Sequence, residues 1–265
     1  MWKRICGRIH MSWKDLYIEA GLAVLLIFAL GIAGNRGLLH SQSESSAVQS
    51  ENYVGNPDTI KKEPEKGKKT TVKTEEPETQ ETQALIASGR YPVMGSSEIT
   101  VQDMIDYFNA SGEEYPSEKL SEGGADSIET FCQMYVEEAE AEGVRPEVAF
   151  AQTMKETGFL QYGGDAHIEQ FNFAGLGTTG NGVPGNSYPD VRTGIRAQIQ
   201  HLKAYATDDA LNRACVDDRY AYVKKGSAPY VQWLGQQENP EGLGWATGEN
   251  YGYDIVGMIE DMTAA

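Results

Sequence analysis

The chain has 265 residues, enough for one large domain or two small ones, and its 40% hydrophobic and 23% charged residues are ordinary for a globular protein. Its net charge of −17 is unevenly placed: residues 1–97 hold 12 Lys and Arg against 11 Asp and Glu (+1), whereas residues 98–265 hold 10 against 28 (−18). A surface this acidic repels phosphate backbones and argues against a nucleic-acid partner.

In chain order, Lys3, Arg4, Arg8 and Lys14 come first, followed by an apolar run from Leu16 to Gly34 broken only by Glu19. The run's 19 residues approach the roughly 20 needed to cross a bilayer. Basic residues ahead of the run place the N-terminus in the cytoplasm. The expected order is therefore a cytoplasmic tail (1–15), a transmembrane signal anchor (16–34) and an exported remainder. A cleaved signal peptide, with small residues at Gly31-Ile32-Ala33, is the alternative and would give a secreted protein. Cys6 lies on the wrong side of the run for a lipoprotein anchor.

Residues 35–97, with SQSESSAVQSENYVGNP and KKEPEKGKKTTVKTEEPETQETQ, have hardly an apolar side chain. Such a segment cannot bury enough surface to offset its ordering entropy, so it is expected to be a disordered extracellular linker. Helical signals begin near Glu98. Thr100 can cap VQDMIDYFNA, with Gly112 beyond it. Asp126 and Glu129 have capping-box spacing ahead of the stripe Ile128, Phe131, Cys132, Tyr135 and Ala139, which Gly143 closes. Pro146 opens the next helix, which ends near Thr157 before Gly158. Further helices are expected at about 191–206, 229–236 and 250–262. The fold class is thus mainly α: a helical body over 98–265 carrying a small irregular or β lobe at about 158–189. Residues 98–125 could form an accessory helix.

Cys132 and Cys215 could pair, but their spacing matches no metal pattern, and the four histidines form no H-E-x-x-H arrangement. No metal and no cofactor is expected.

In the helix PEVAFAQTMKETG, Glu156 shares a face with Val148, Ala149, Gln152, Phe159 and Leu160. It stands in the last turn, where the negative end of the helix dipole disfavours a second negative charge. Apolar neighbours and the dipole both favour the neutral acid, so its pKa is expected to rise. An acid that keeps its proton near neutrality is what glycosidic cleavage requires of a general acid.

Four segments in order, AQTMKETGF, FNFAGLG, YPDVRTGIRAQIQHLKAYA and GWATGENYGYDI, resemble the glucosaminidase domain of bacterial peptidoglycan hydrolases, glycoside hydrolase family 73. The similarity covers about residues 126–265 and implies a lysozyme-like α+β fold. It implies that Glu156 protonates the leaving sugar oxygen, that Tyr251 is a second catalytic residue across the cleft, and that Gln152, Asn172, Phe173, Gly175 and Trp245 bind substrate. The substrate would be the glycan strands of peptidoglycan, cut at β-1,4 bonds outside the membrane and facing the cell wall. Ala174 between Phe173 and Gly175 departs from the commoner turn.

Glycosidases usually employ two carboxylates. The second candidate is Asp190, which could equally cap the helix after it; Asp165 and Glu169 lie nearer in sequence. Without a second acid, the substrate's 2-acetamido group could be the nucleophile. The rivals are a lytic transglycosylase releasing 1,6-anhydro ends and a non-catalytic wall-binding module.

Overall fold

Helix ends in this chain fall where a side chain or a glycine can satisfy the backbone groups that a helix leaves orphaned. The computed structural model describes residues 77–179 and 182–264. Among them are seven α-helices: α1 (Pro77–Ala87), α2 (Val101–Ala110), α3 (Ser117–Ser121), α4 (Ile128–Glu142), α5 (Pro146–Thr157), α6 (Val191–Ala206) and α7 (Tyr251–Ala264). Thr100 caps α2 by a reciprocal box, its hydroxyl accepting from the Asp103 amide at 3.2 Å while the Asp103 carboxylate accepts from the Thr100 amide at 2.7 Å. α4 begins one residue away from the expected cap. Ser127 accepts from the Thr130 amide at 3.2 Å, and Asp126 takes the Thr130 hydroxyl at 3.1 Å. α5 opens on Pro146 as expected and closes on Gly158. The helix expected at 229–236 is a single 3-10 turn, Val231–Leu234.

α5 is the centre of the domain. Every residue from Val148 to Met154 is fully buried. Ala149 and Ala151 keep two of its faces thin, while Phe150 and Met154 fill the layers beside them; burying each such large side chain contributes about 1.5–3 kcal/mol. α4, α6 and α7 pack around it, and α2 bridges α4 and α7. Residues 101–110 are thus part of the core, through Met104, Ile105 and Phe108, and not an accessory cover.

One boundary moves. The linker was expected to run to residue 97, but Tyr91–Gly95 is built into the fold. The Val93 amide donates to Pro229 O (3.0 Å), the Val231 amide to Tyr91 O (2.8 Å) and the Arg145 amide to Val93 O (2.9 Å). Val93 is fully buried. The lobe at 158–189 contains a 3-10 turn at Ile168–Gln170 and otherwise loop, with no strand among its described residues. Cys132 is buried and Cys215 exposed, both as free thiols, so the considered pairing is absent. Among the described residues no helix is long and apolar enough to cross a membrane; the tail at 1–15, the apolar run at 16–34 and the linker up to residue 76 lie outside them.

Candidate active site

The chain leaves α5 by an unusual route. Gly158 (φ 57°), Phe159 (φ 55°) and Leu160 (φ 65°) are consecutively left-handed, as is Tyr162 (φ 52°). A left-handed conformation costs a residue with a Cβ about 1–2 kcal/mol. The compensation is visible: Leu160 is buried and its amide meets the Thr157 hydroxyl at 2.9 Å, and the Phe159 ring packs on Tyr107 and Phe108. The result is a sharp turn that carries the chain away directly after Glu156. Strain of this kind concentrates at functional sites.

Glu156 is exposed, whereas every residue from Val148 to Met154 is buried. Its Oε1 accepts a hydrogen bond from Tyr251 Oη, at the first residue of α7. Tyr251 is buried, and its oxygen also accepts from Gln152 Nε2 at 3.0 Å. α7 can begin there because residue 252 is glycine: a Cβ at Gly252 would collide with the Val231 carbonyl. On the other side, Gly175, left-handed at φ 63°, brings its turn against the acid; a Cβ at Gly175 would lie 4.0 Å from Glu156 Oε2 and 3.9 Å from Thr178 Oγ1. The acid therefore stands between α7 and the turn of the lobe.

Solvent reaches one side of the Glu156 side chain, yet protein packed around the carboxyl removes much of its hydration. A group surrounded on most sides and open on one satisfies both conditions. Accessibility decides that it can meet a substrate; crowding decides the direction of its pKa. Desolvation raises that pKa above the ordinary glutamate range, opposed by the Tyr251 hydrogen bond and the Lys155 charge. Lys155 is itself paired to Asp254 at 2.7 Å. The Tyr251 hydroxyl holds its proton far more tightly than a free phenol, because of burial and then the adjacent Glu156 charge. The expected direction for Glu156 holds, but its immediate partners are a hydroxyl and a glycine turn instead of an apolar face.

The remaining sequence-predicted residues divide. Asn172 is buried and knits the turn, with Nδ2 donating to Leu176 O (2.8 Å) and Oδ1 accepting from the Leu176 amide (3.0 Å). It shapes the turn beside Glu156 instead of facing a ligand. Phe173 is corrected outright: only 1% exposed and packed edge-on against Phe131 at 5.1 Å, it is a core residue and cannot touch a glycan. Gln152 is fully buried and acts on Tyr251, so it too is withdrawn from direct substrate contact. Trp245 is half-buried, its ring against His201 (4.9 Å) and Tyr205 (5.9 Å) of α6.

Asp190 is the N-cap of α6, accepting from the Thr193 amide at 2.7 Å. Asp165 accepts from the Gly182 amide and Glu169 pairs with Lys119, so each candidate second carboxylate is engaged elsewhere. Sequence reasoning missed Gln198 of α6, which bonds Gln152 at 2.9 Å. Its signal was an amide inside the apolar stripe Ile195, Ile199, Leu202. Two open depressions, one lined by Asn186, Tyr188 and Asp218 and the other by Gln161, Tyr162 and His167, flank the lobe; Glu156 lines neither. Among the described residues no group of His, Cys, Asp and Glu is arranged to hold a metal ion.

Comparison with known proteins adds a family. An uncharacterized protein of Borreliella burgdorferi is 42% identical over 104 residues, 39% of this chain and 51% of that protein, so the match spans about half of the relative's length. No solved structure matches. Residues 132–264 match the model of the glucosaminidase family, described as mannosyl-glycoprotein endo-beta-N-acetylglucosaminidase, a stretch that contains α5, the lobe and α7. With that match over half of its length, the chain belongs to the glucosaminidase family.

Proposed function

We propose that the chain cuts β-1,4 bonds of peptidoglycan glycan strands as an endo-β-N-acetylglucosaminidase of glycoside hydrolase family 73, with Glu156 as general acid. The observation that carries this reading is the accessible Glu156 whose carboxyl is crowded by protein and hydrogen-bonded by a buried Tyr251. Crowding makes the acid hold its proton more tightly than an exposed glutamate does, and accessibility lets it reach the glycosidic oxygen. An open surface suits a long polymer, which needs no enclosed cavity.

Among the described residues the loop carboxylates are committed to a cap, an amide and an ion pair. The reading therefore gives the nucleophilic role to the substrate's own 2-acetamido oxygen. That oxygen bonds the anomeric carbon as the bond to the leaving oxygen breaks, and the Glu156 proton passes to the leaving oxygen. Water then opens the cyclic intermediate, returning its proton to Glu156. Trp245, half-exposed beside α6, offers a sugar-stacking surface. The basic residues ahead of the apolar run at 16–34 support a membrane anchor, with the domain facing the wall on a tether.

Glu156→Gln keeps the shape and removes the transferable proton. Release of new reducing ends from purified cell wall is expected to fall by at least about a hundredfold. Full hydrolysis by that variant would sink the assignment. The engagement of all three candidate second acids favours one rival, a lytic transglycosylase; mass spectrometry of the products separates its 1,6-anhydro ends from reducing ends.

A further inference from the structure

Behind Tyr251 runs a chain of buried amides whose orientation is forced from one end. Gln198 of α6 is fully buried. Its Nε2 donates to Ala149 O at 2.9 Å and to Gln152 Oε1 at 2.9 Å. Its Oε1 lies 2.9 Å from both Tyr135 Oη and Thr153 Oγ1, which stand 2.6 Å apart; with one proton apiece, one hydroxyl donates to Gln198 and the other to its neighbour. A backbone carbonyl can only accept, so the amino group of Gln198 must face Ala149. Turning the amide over would set two carbonyl oxygens against each other without water to relieve them.

The polarity then propagates. Because Gln198 presents its amino group to Gln152, Gln152 must answer with its carbonyl oxygen. Its own amino group is left for Tyr251 Oη, 3.0 Å away. Tyr251 therefore accepts on one side, and its single proton is left for Glu156 Oε1. A Glu156 oxygen already occupied as an acceptor is the poorer place for the acid's own proton. That proton belongs on Oε2, which looks toward Gly175 and not toward α7.

We infer that Gln198 is a positioning residue that, through Gln152, fixes Tyr251 as donor to Glu156 Oε1 and so leaves Oε2 as the oxygen carrying the transferable proton. The inference rests on Glu156 being the general acid. It makes one carbonyl in the middle of α5, Ala149 O, the origin of the proton's address two turns further along the same helix.

The test is made on the full chain. Gln198→Met is close in volume and leaves Tyr135 and Thr153 to bond each other. Gln152 is then free to turn, and Tyr251 can aim its proton at the Gln152 oxygen. Glu156 loses a donor that favoured its charged form, so the alkaline limb of the kcat profile should move up by about one pH unit. On the acid side of both limbs, where Glu156 is protonated in parent and variant alike, kcat should fall at least about twofold because the proton is free to settle on Oε1, with KM unchanged. Tyr251→Phe should move the limb in the same direction, and the double variant should move it no further than the larger single shift. The charged or titratable groups that bear on the limb are Lys155 on α5, Tyr251 and Asp254 on α7 and, behind Tyr251, Tyr205 on α6; residues 172–178 of the turn bring none.

The unsubstituted protein provides a second readout. The Gln152 side-chain amide, labelled with nitrogen-15, should titrate with the same midpoint as Glu156. A Gln152 resonance that does not respond to that titration, or an unmoved limb in folded Gln198→Met, overturns the inference. Glu156→Gln measured alongside separates the two readings: if it remains active the acid assignment itself has failed, and if it is inactive with an unmoved Gln198→Met limb only the relay has failed.

Discussion

Glu156 is where the fold sets chemistry against its own stability. Crowding raises its pKa in the folded chain, whereas in the unfolded chain it titrates near the ordinary value of 4.5. Between those two values the folded state binds more protons than the unfolded one. Stability is therefore complete below about pH 4.5 and is lost as pH rises through the raised folded value. A glutamine at 156 keeps an oxygen to accept from Tyr251 and carries no charge to desolvate. Glu156→Gln should thus melt like the parent at pH 4 and progressively above it toward neutrality, the pattern of an active site that gives up stability for function. Differential scanning calorimetry across that range is the measurement. A constant gap at all pH values would mean that the carboxyl is as well hydrated in the fold as out of it.

At the scale of elements, α6 decides what Asp190 is for. Its carboxylate satisfies the Thr193 amide, one of the orphan donors at the helix start. Asp190→Asn retains a capping oxygen and should keep both stability and wall hydrolysis. Asp190→Ala should cost about 1 kcal/mol in urea unfolding while turnover per folded molecule persists. A folded Asp190→Asn without turnover would instead make Asp190 the second acid.

The same helix shows why some elements were legible and others were not. Thr100, Pro146, Gly158 and Asp190 act within four residues of themselves, so the starts or stops of α2, α5 and α6 could be read locally. The segment 91–95 pairs with residues 143–145 and 229–231, and no local pattern marks such a partner. Phe173 and Gln152 belong to the motifs that carry the resemblance, but whether a motif residue faces substrate or core depends on what packs over it. For Phe173 that is Phe131 of α4; for Gln152 it is Gln198 of α6. Glu156 and Tyr251 could be read as a pair only through the resemblance, since 95 residues separate them.

For the whole molecule, the acidity concentrated after residue 97 reads from sequence as a solvated surface, yet among the described residues Glu138, Glu142, Glu147 and Asp217 are interior, and the first two join distant parts of the domain. Glu138 and Glu142, one turn apart on α4, are 0% and 1% exposed. Glu138 accepts from Arg196 Nε at 2.8 Å, from Arg213 at 2.7 Å and from Arg192 at 3.2 Å. Glu142 accepts from Lys203 at 2.9 Å and from the amides of Asn212 and Arg213 at 2.8 and 3.0 Å. α4, α6 and the chain after α6 are thereby clamped. Burial alone would raise the pKa of Glu138, but its arginine hydrogen bonds outweigh that and hold it below the ordinary 4.5. The unfolded chain therefore binds more protons near that value, and the clamp's contribution is present above pH 4.5 and lost as pH falls through the depressed folded value. Glu138→Gln leaves three guanidinium groups without their common anion. Its cost at pH 7 should be about 2–3 kcal/mol, under the usual range for a fully buried pair because the arginines are partly exposed. Urea unfolding at pH 7 and at pH 3 tests this. The gap between parent and variant should shrink at pH 3, below the unfolded chain's ordinary glutamate value of 4.5, and in 1 M salt, where the exposed arginine heads are screened. A gap of equal size at both pH values would assign the loss to packing and not to charge.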